Sequence, residues 1–193
     1  MKYLLVLLVL LAASPAPALA VESAPATSPG GPYREISWSD LIPKGWDPAR
    51  HFKGMDLGSL QDGDPKAMKV LELIKQEWEN APTDLSLNGR KIRIPGYVVP
   101  IEEKDRAITE FLLVPYFGAC IHVPPPPANQ IIHVISAKPI KNLRAMDLVQ
   151  VSGEMKIARF ASATPMGLGT AGYQLRSVAV APYKQTAKDG APR

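Results

Sequence analysis

Three side chains in one short stretch of this chain could hold a metal ion or work as a redox centre. FGACIHVPPPPANQIIHV, residues 117 to 134, contains the sole cysteine, Cys120, and two of the three histidines, His122 and His133. Cys120 and His122 are two apart, so on a strand both side chains leave the same face. If 118–123 pairs with 130–135 across the prolines, His133 converges on the other two. One thiolate and two imidazoles make a ligand set for zinc or copper, with a fourth position left open. The competing reading is burial. A cysteine between Ala119 and Ile121 suits a small core hydrophobe, and a histidine among Ile131, Ile132 and Val134 suits a hydrogen-bonded core residue. No CxxC, HxxxH or HExxH spacing is present. The residue types therefore weigh toward burial, with the metal set as the alternative. A reactive thiol is a third reading and requires a lowered pKa.

The prolines between these residues have their own physics. Pro124 to Pro127 fix φ, lack backbone donors and favour a stiff polyproline II segment. Such a segment has no place in a central strand. The expectation is an exposed rigid loop at a rim, whose flat apolar rings could meet a partner. Pro124, Pro125, Pro126, Pro127 and Asn129 are the candidate partner-contacting residues, with Asn129 and Gln130 capping freed carbonyls. Other candidates read as ordinary structure. Glu102–Glu103 suit a solvated turn better than an acid/base pair. The glycine-rich stretch from Met166 to Gly172 lacks the G-x-x-x-x-G-K-[ST] phosphate cradle. His51 stands alone and reads as surface. No nucleophile elbow and no acid cluster suited to hydrolysis is present, so no catalytic residue is assigned.

The elements that must position these residues begin after the first twenty. MKYLLVLLVLLAASPAPALA has Lys2, an apolar run of roughly ten residues and Ala18-Leu19-Ala20. This reads as a cleavable secretory signal, too short to span a membrane, which takes about twenty residues. The expected mature chain starts at Val21, is periplasmic and carries no membrane anchor. It has 21 basic residues (22 less Lys2) against 18 acidic ones. That excess is small and scattered, which argues against a nucleic-acid partner. One cysteine cannot make an internal disulfide, but about 170 residues can build one sizeable core without any.

Residues 21–34 are rich in Pro, Ala, Ser and Gly and read as a flexible linker. A single domain is expected over 35–182, followed by a disordered tail, 183–193. Within it, Asp64 and Pro65 start a helix of about 64–80, and Pro82 closes it. Ala67, Leu71, Ile74 and Trp78 share a stripe that predicts packing on a core. From about 85 the pattern turns to β. Asn88-Gly89 suggests a hairpin, Pro95-Gly96 a bulge or bend, and Gly153 a bend in a later strand. Five principal strands with short connections predict a mainly β, α+β fold. The expected form is a small, curved, five-stranded barrel of the oligonucleotide/oligosaccharide-binding (OB) type, preceded by one amphipathic helix. A β-sandwich is the alternative.

Four segments, ISWSDLIPKGW, RIPGYVVPIE, FLLVPYFGACIHVPPPPANQIIHV and VSGEMKI, resemble the Gram-negative domain-of-unknown-function family numbered 3299. The likeness runs from about residue 35 to 182, and GACIHVPPPPANQ is its most specific part. The resemblance implies an exported or periplasmic protein associated with ABC-type export or metal-response operons. It brings no established activity and no established site residues. The resulting expectation is a periplasmic binding or accessory protein without catalytic activity, linked to a membrane transport complex or another periplasmic protein. The alternative is a zinc- or copper-binding protein using Cys120, His122 and His133.

Overall fold

Alternation of apolar and polar residues drives the chain into five long strands, because each must bury one face. A computed structural model describes residues 32–48, 50, 53–54, 64–119, 125–161 and 169–184. A two-residue strand, β1 (Arg34–Glu35), comes first, then the helix α1 (Pro65–Glu79). The barrel strands are β2 (Lys91–Lys104), β3 (Ala107–Val114), β4 (Ile132–Lys141), β5 (Leu148–Ala161) and β6 (Thr170–Pro182). Neighbours run β2-β3-β4-β6-β5, and β5 returns to β2, so the sheet closes. Only β4 and β6 are parallel within the barrel; β1 lies parallel on β2. This is the expected OB-like barrel preceded by one helix.

Closure depends on β2 serving two partners. Lys91 to Tyr97 pair with β5, and Tyr97 to Lys104 pair with β3. At the corner, a Cβ on Gly96 would lie 2.7 Å from Leu113 Cγ and 2.9 Å from the Trp38 ring. Trp38 Nε1 donates to the Pro95 carbonyl at 2.7 Å. Glycine thus makes room for an indole at the bend. The expected bulge at Pro95-Gly96 is not there, since the register with β5 runs unbroken through Pro95. The register slips instead between Pro100 and Glu103, against β3. Gly153 does mark a shift, between β5 and β6, and a side chain there would strike the Arg176 carbonyl.

The barrel interior is packed with Ile94, Val98, Phe111, Leu113, Met155 and Leu175, all fully buried. Tyr173 is buried among them. Its hydroxyl donates to the Leu41 carbonyl at 2.7 Å and accepts from the Asp84 N–H at 2.6 Å. One phenol thereby ties the segments on either side of α1 to the barrel. Burial pushes this phenol up to about 12.

Two local expectations fail. Leu85–Leu87 form a turn of 3-10 helix, not a hairpin arm, because the Asp84 carboxylate caps the Ser86 N–H at 2.9 Å. Asn88 then accepts from Ile157 N at 3.1 Å, which docks the turn on β5. The second failure is α1. Its start is as expected, with Pro65 in the first turn and Asp64 Oδ1 accepting from Lys66 N at 2.8 Å. Yet no residue of α1 is buried; Leu71 is 55% exposed and Met68 61%. The physical reason lies in closure. The barrel fills its interior with its own strands, and its outer β3–β4 face is covered by other residues, so α1 finds no core to enter.

Candidate functional site

The outer face of β3 and β4 is where the chemistry collects. On β3, Phe111 and Leu113 belong to the interior, so Glu110, Leu112 and Val114 point outward. On β4, Ile132 and Val134 point inward and His133 outward. Leu112 pairs with His133, and Glu110 with Ile135. Glu110 is therefore the diagonal neighbour of His133 on the same face. The expected pairing of 118–123 with 130–135 is corrected by this register, in which β4 takes the stretch before the prolines' approach, 107–113.

This outer face is not wet. Val99, Leu112, Val114, Ala119, Ile131 and Ala171 form a second buried cluster, with Tyr97 and Phe160 packed against it. His133 is only 3% exposed. Its ring stacks on Phe160 with centroids 3.8 Å apart and planes inclined by 16°. His133 Nε2 lies 2.9 Å from Glu110 Oε2, and the Glu110 side chain keeps 30% exposure. A carboxylate only accepts, so the Nε2–H donates to it. The other ring nitrogen, Nδ1, is buried and has no hydrogen-bond partner among the described residues. Buried polar atoms without partners are rare, and each asks for an explanation.

The other sequence candidates are placed as follows. Cys120, His122, Pro124, His51 and residues 166–168 of the glycine-rich stretch lie outside the described residues. Ala119, next to Cys120, is fully buried in the outer cluster. Pro125 and Pro127 are half-buried and Pro126 is buried, so the expected exposed rim is corrected. Proline rings bring no N–H to satisfy, which makes them cheap to bury. Gly169 lets Pro125 approach, since a Cβ there would lie 3.0 Å from Pro125 Cβ. Asn129 is fully buried; its Nδ2 donates to the Pro82 carbonyl at 2.9 Å. Gln130 Nε2 donates to the Trp38 carbonyl at 3.0 Å. The side-chain amides hold distant segments, while the Gln130 backbone N–H caps one of the prolines' freed carbonyls, that of Pro127, at 2.7 Å. Glu102 and Glu103 are exposed within β2, at its register slip, and not in a turn.

Beside the proline segment runs an apolar groove of about 260 Å³. Leu71, Ile74 and Trp78 of α1 line one side, and Pro125, Pro126 and Gly169 the other. The stripe of α1 therefore faces a cleft rather than a core. Among the described residues no group of three His, Cys, Asp or Glu could hold a metal ion. Nor is any described helix long and apolar enough to cross a membrane.

Residues 38–182 match the family described as "Protein of unknown function (DUF3299)". The chain belongs to the DUF3299 family. It is similar to the crystal structure of a DUF3299 family protein from Pseudomonas aeruginosa PAO1. The two share 36% identity over 81% of this chain and 100% of that one, with a TM-score of 0.61. No curated protein matches. In this DUF3299 chain the matched span takes in α1, the groove and the outer face of β3–β4. OB-type barrels in general bind ligands on the face of their second and third barrel strands. Here those are β3 and β4, the strands that carry Glu110 and His133. Glu110 and Phe160 were not legible as site residues. An isolated carboxylate at the parity of Leu112 was the one signal for Glu110; Phe160 gave none.

Proposed function

We propose that this DUF3299 protein is an exported periplasmic binding or accessory protein without catalytic activity, serving a membrane transport complex. The observation that carries the reading is the groove between α1 and Pro125–Pro126. An amphipathic helix with no buried residue holds its apolar stripe open toward it. Helix-lined apolar grooves take the apolar side chains of a partner segment, and Pro125 and Pro126 form a stiff wall that loses little entropy on binding. Leu71→Asp should abolish co-purification with the transport complex. Val178→Asp, on β6 at a position 62% exposed and outside the groove lining, should leave it intact. Equal behaviour of the two variants would overturn the reading. Export itself is tested by intact mass: the mature chain should begin at Val21, and a mass retaining residues 1–20 or carrying lipid defeats it.

A second reading is favoured by one specific observation, the buried Nδ1 of His133, which has no hydrogen-bond partner among the described residues. In it the protein binds zinc or copper through Cys120, His122 and His133. Metal analysis of protein purified from its native periplasm tests this. Stoichiometric zinc or copper that is lost in Cys120→Ser supports the reading, and metal-free protein rejects it.

A further inference from the structure

We infer that Arg34, Arg90 and Lys91 surround a pocket that takes the phosphate group of a small phosphate ester, whose apolar body rests on a floor of Ile36, Leu87 and Ile92. The site goes beyond the proposed function and is independent of both the groove beside α1 and the metal reading.

The pocket lies where β1 and β2 begin, against the turn at Ser86 and Leu87, and has a volume of about 290 Å³. Its make-up follows from strand register. Arg34 pairs with Ile92, so the two side chains share a face. Ile36 comes two residues later on that face, and its N–H carries the ladder on to the Arg93 carbonyl at 3.0 Å. Arg90 precedes Ile92 by two, and its carbonyl accepts from Met155 N at 2.9 Å, so the ladder with β5 reaches it. Two core-facing rows, Ile36 on one and Ile94 and Ile92 on the other, thus end in arginine. The isoleucines and Leu87 are buried, while Arg34, Ser86, Arg90 and Lys91 are exposed. The result is an apolar floor under a cationic rim. Among the described residues no acid pairs with these three cations. Asp40 is engaged by the Ser37 N–H and hydroxyl, each at 2.7 Å. Glu154, opposite Lys91 in register, reaches Lys156 instead, at 3.8 Å. Arg90 Nε donates to the Ser86 carbonyl at 3.3 Å, which holds that guanidinium at the pocket wall. Three like charges around one opening repel, and a bound anion relieves the repulsion. A guanidinium offers a planar fork that matches two phosphate oxygens at once. A phosphate can accept a fork from each arginine and carry two negative charges, which answers three cations better than a carboxylate does. The floor gives the rest of the ester apolar contact, and the volume is at the small end of the range for ligand pockets.

The test titrates the full chain with phenyl phosphate, read by calorimetry and by the side-chain Nε–H resonances of Arg34 and Arg90. Phenyl phosphate should bind and shift both resonances. Arg34→Gln and Arg90→Gln should each weaken binding about 10–100-fold, the range for a hydrogen bond to a charged group, with both variants folded by circular dichroism. Arg90→Lys keeps the charge but loses the fork and should also bind more weakly than wild type. If Arg90→Gln fails to fold, Arg34→Gln and Arg90→Lys carry the test. Lys138→Gln, on β4 and outside the pocket lining, should bind as wild type does. Inorganic phosphate should bind more weakly than phenyl phosphate, and equal binding overturns the role of the floor. Benzoate bound as tightly as phenyl phosphate overturns the choice of phosphate. Vesicles of phosphatidylglycerol, tested in parallel, separate the two sources of a phosphate ester. Capture by the vesicles that is lost in Arg34→Gln supports a lipid headgroup, and binding of phenyl phosphate alone supports a soluble ester. Binding of neither, or binding undiminished in both Arg34→Gln and Arg90→Gln, overturns the inference.

Discussion

Phe111 in the barrel and Leu71 on α1 occupy apolar stripes of equally regular period, yet their fates differ. Phe111 has no exposed surface, while Leu71 is 55% exposed. Both stripes state which face of an element avoids water. Neither states whether the rest of the chain has a surface left to cover that face. The strands cover one another by closing into a barrel. Once they have closed, the interior is full and the outer β3–β4 face is occupied by Ala119, Ile131 and Phe160. With those surfaces already filled, the stripe of α1 lines a groove instead.

The contrast can be broken experimentally, beginning where the effect should be largest. Phe111→Ala should cost about 3–5 kcal/mol, the range for emptying an aromatic site in a packed core. A urea melt shifted by less than about 1 kcal/mol would mean that the interior is loosely packed. Tyr173→Phe should cost about 1–3 kcal/mol, because the Leu41 carbonyl and the Asp84 N–H each lose a partner. The same phenol predicts an alkaline limit. It stays protonated in the folded chain up to about 12, whereas an unfolded tyrosine ionises near 10. Its contribution is whole below pH 10, and stability falls as pH rises from 10 through 12, by about 2–3 kcal/mol. Wild-type stability that stays level over that range, after comparison with Tyr173→Phe, contradicts the buried phenol. Leu71→Ala should be the mildest change, below about 0.5 kcal/mol, as for surface substitutions generally. A cost of about 2–5 kcal/mol would place Leu71 in a core after all.

Much of the barrel could be read directly from residue types. Alternation in Val149, Val151 and Met155 marked β5, and Gly153 marked its bend. Asp64 and Pro65 marked the helix start to within a residue. These are local signals, set by a residue and its near neighbours. The site was less legible because it depends on register. Glu110 meets His133 only through the alignment of β3 with β4, 23 residues apart in sequence, and a shift of one residue would turn either side chain inward. Phe160 depends further on the register slip in β5 between Ile157 and Phe160. The burial of Pro126 was illegible for a related reason. Its rings lack donors wherever they lie, so their chemistry does not distinguish a rim from a cleft.

The Tyr173 hydroxyl also sets an order of events. It holds Leu41 from 132 residues away. A ribosome delivers Leu41 long before it delivers β6, so this anchor cannot form until nearly the whole chain has emerged. Contacts of such long sequence separation make folding slow. The N-terminal segment must therefore wait without its clasp, and a chain cut short before Tyr173 would never gain it.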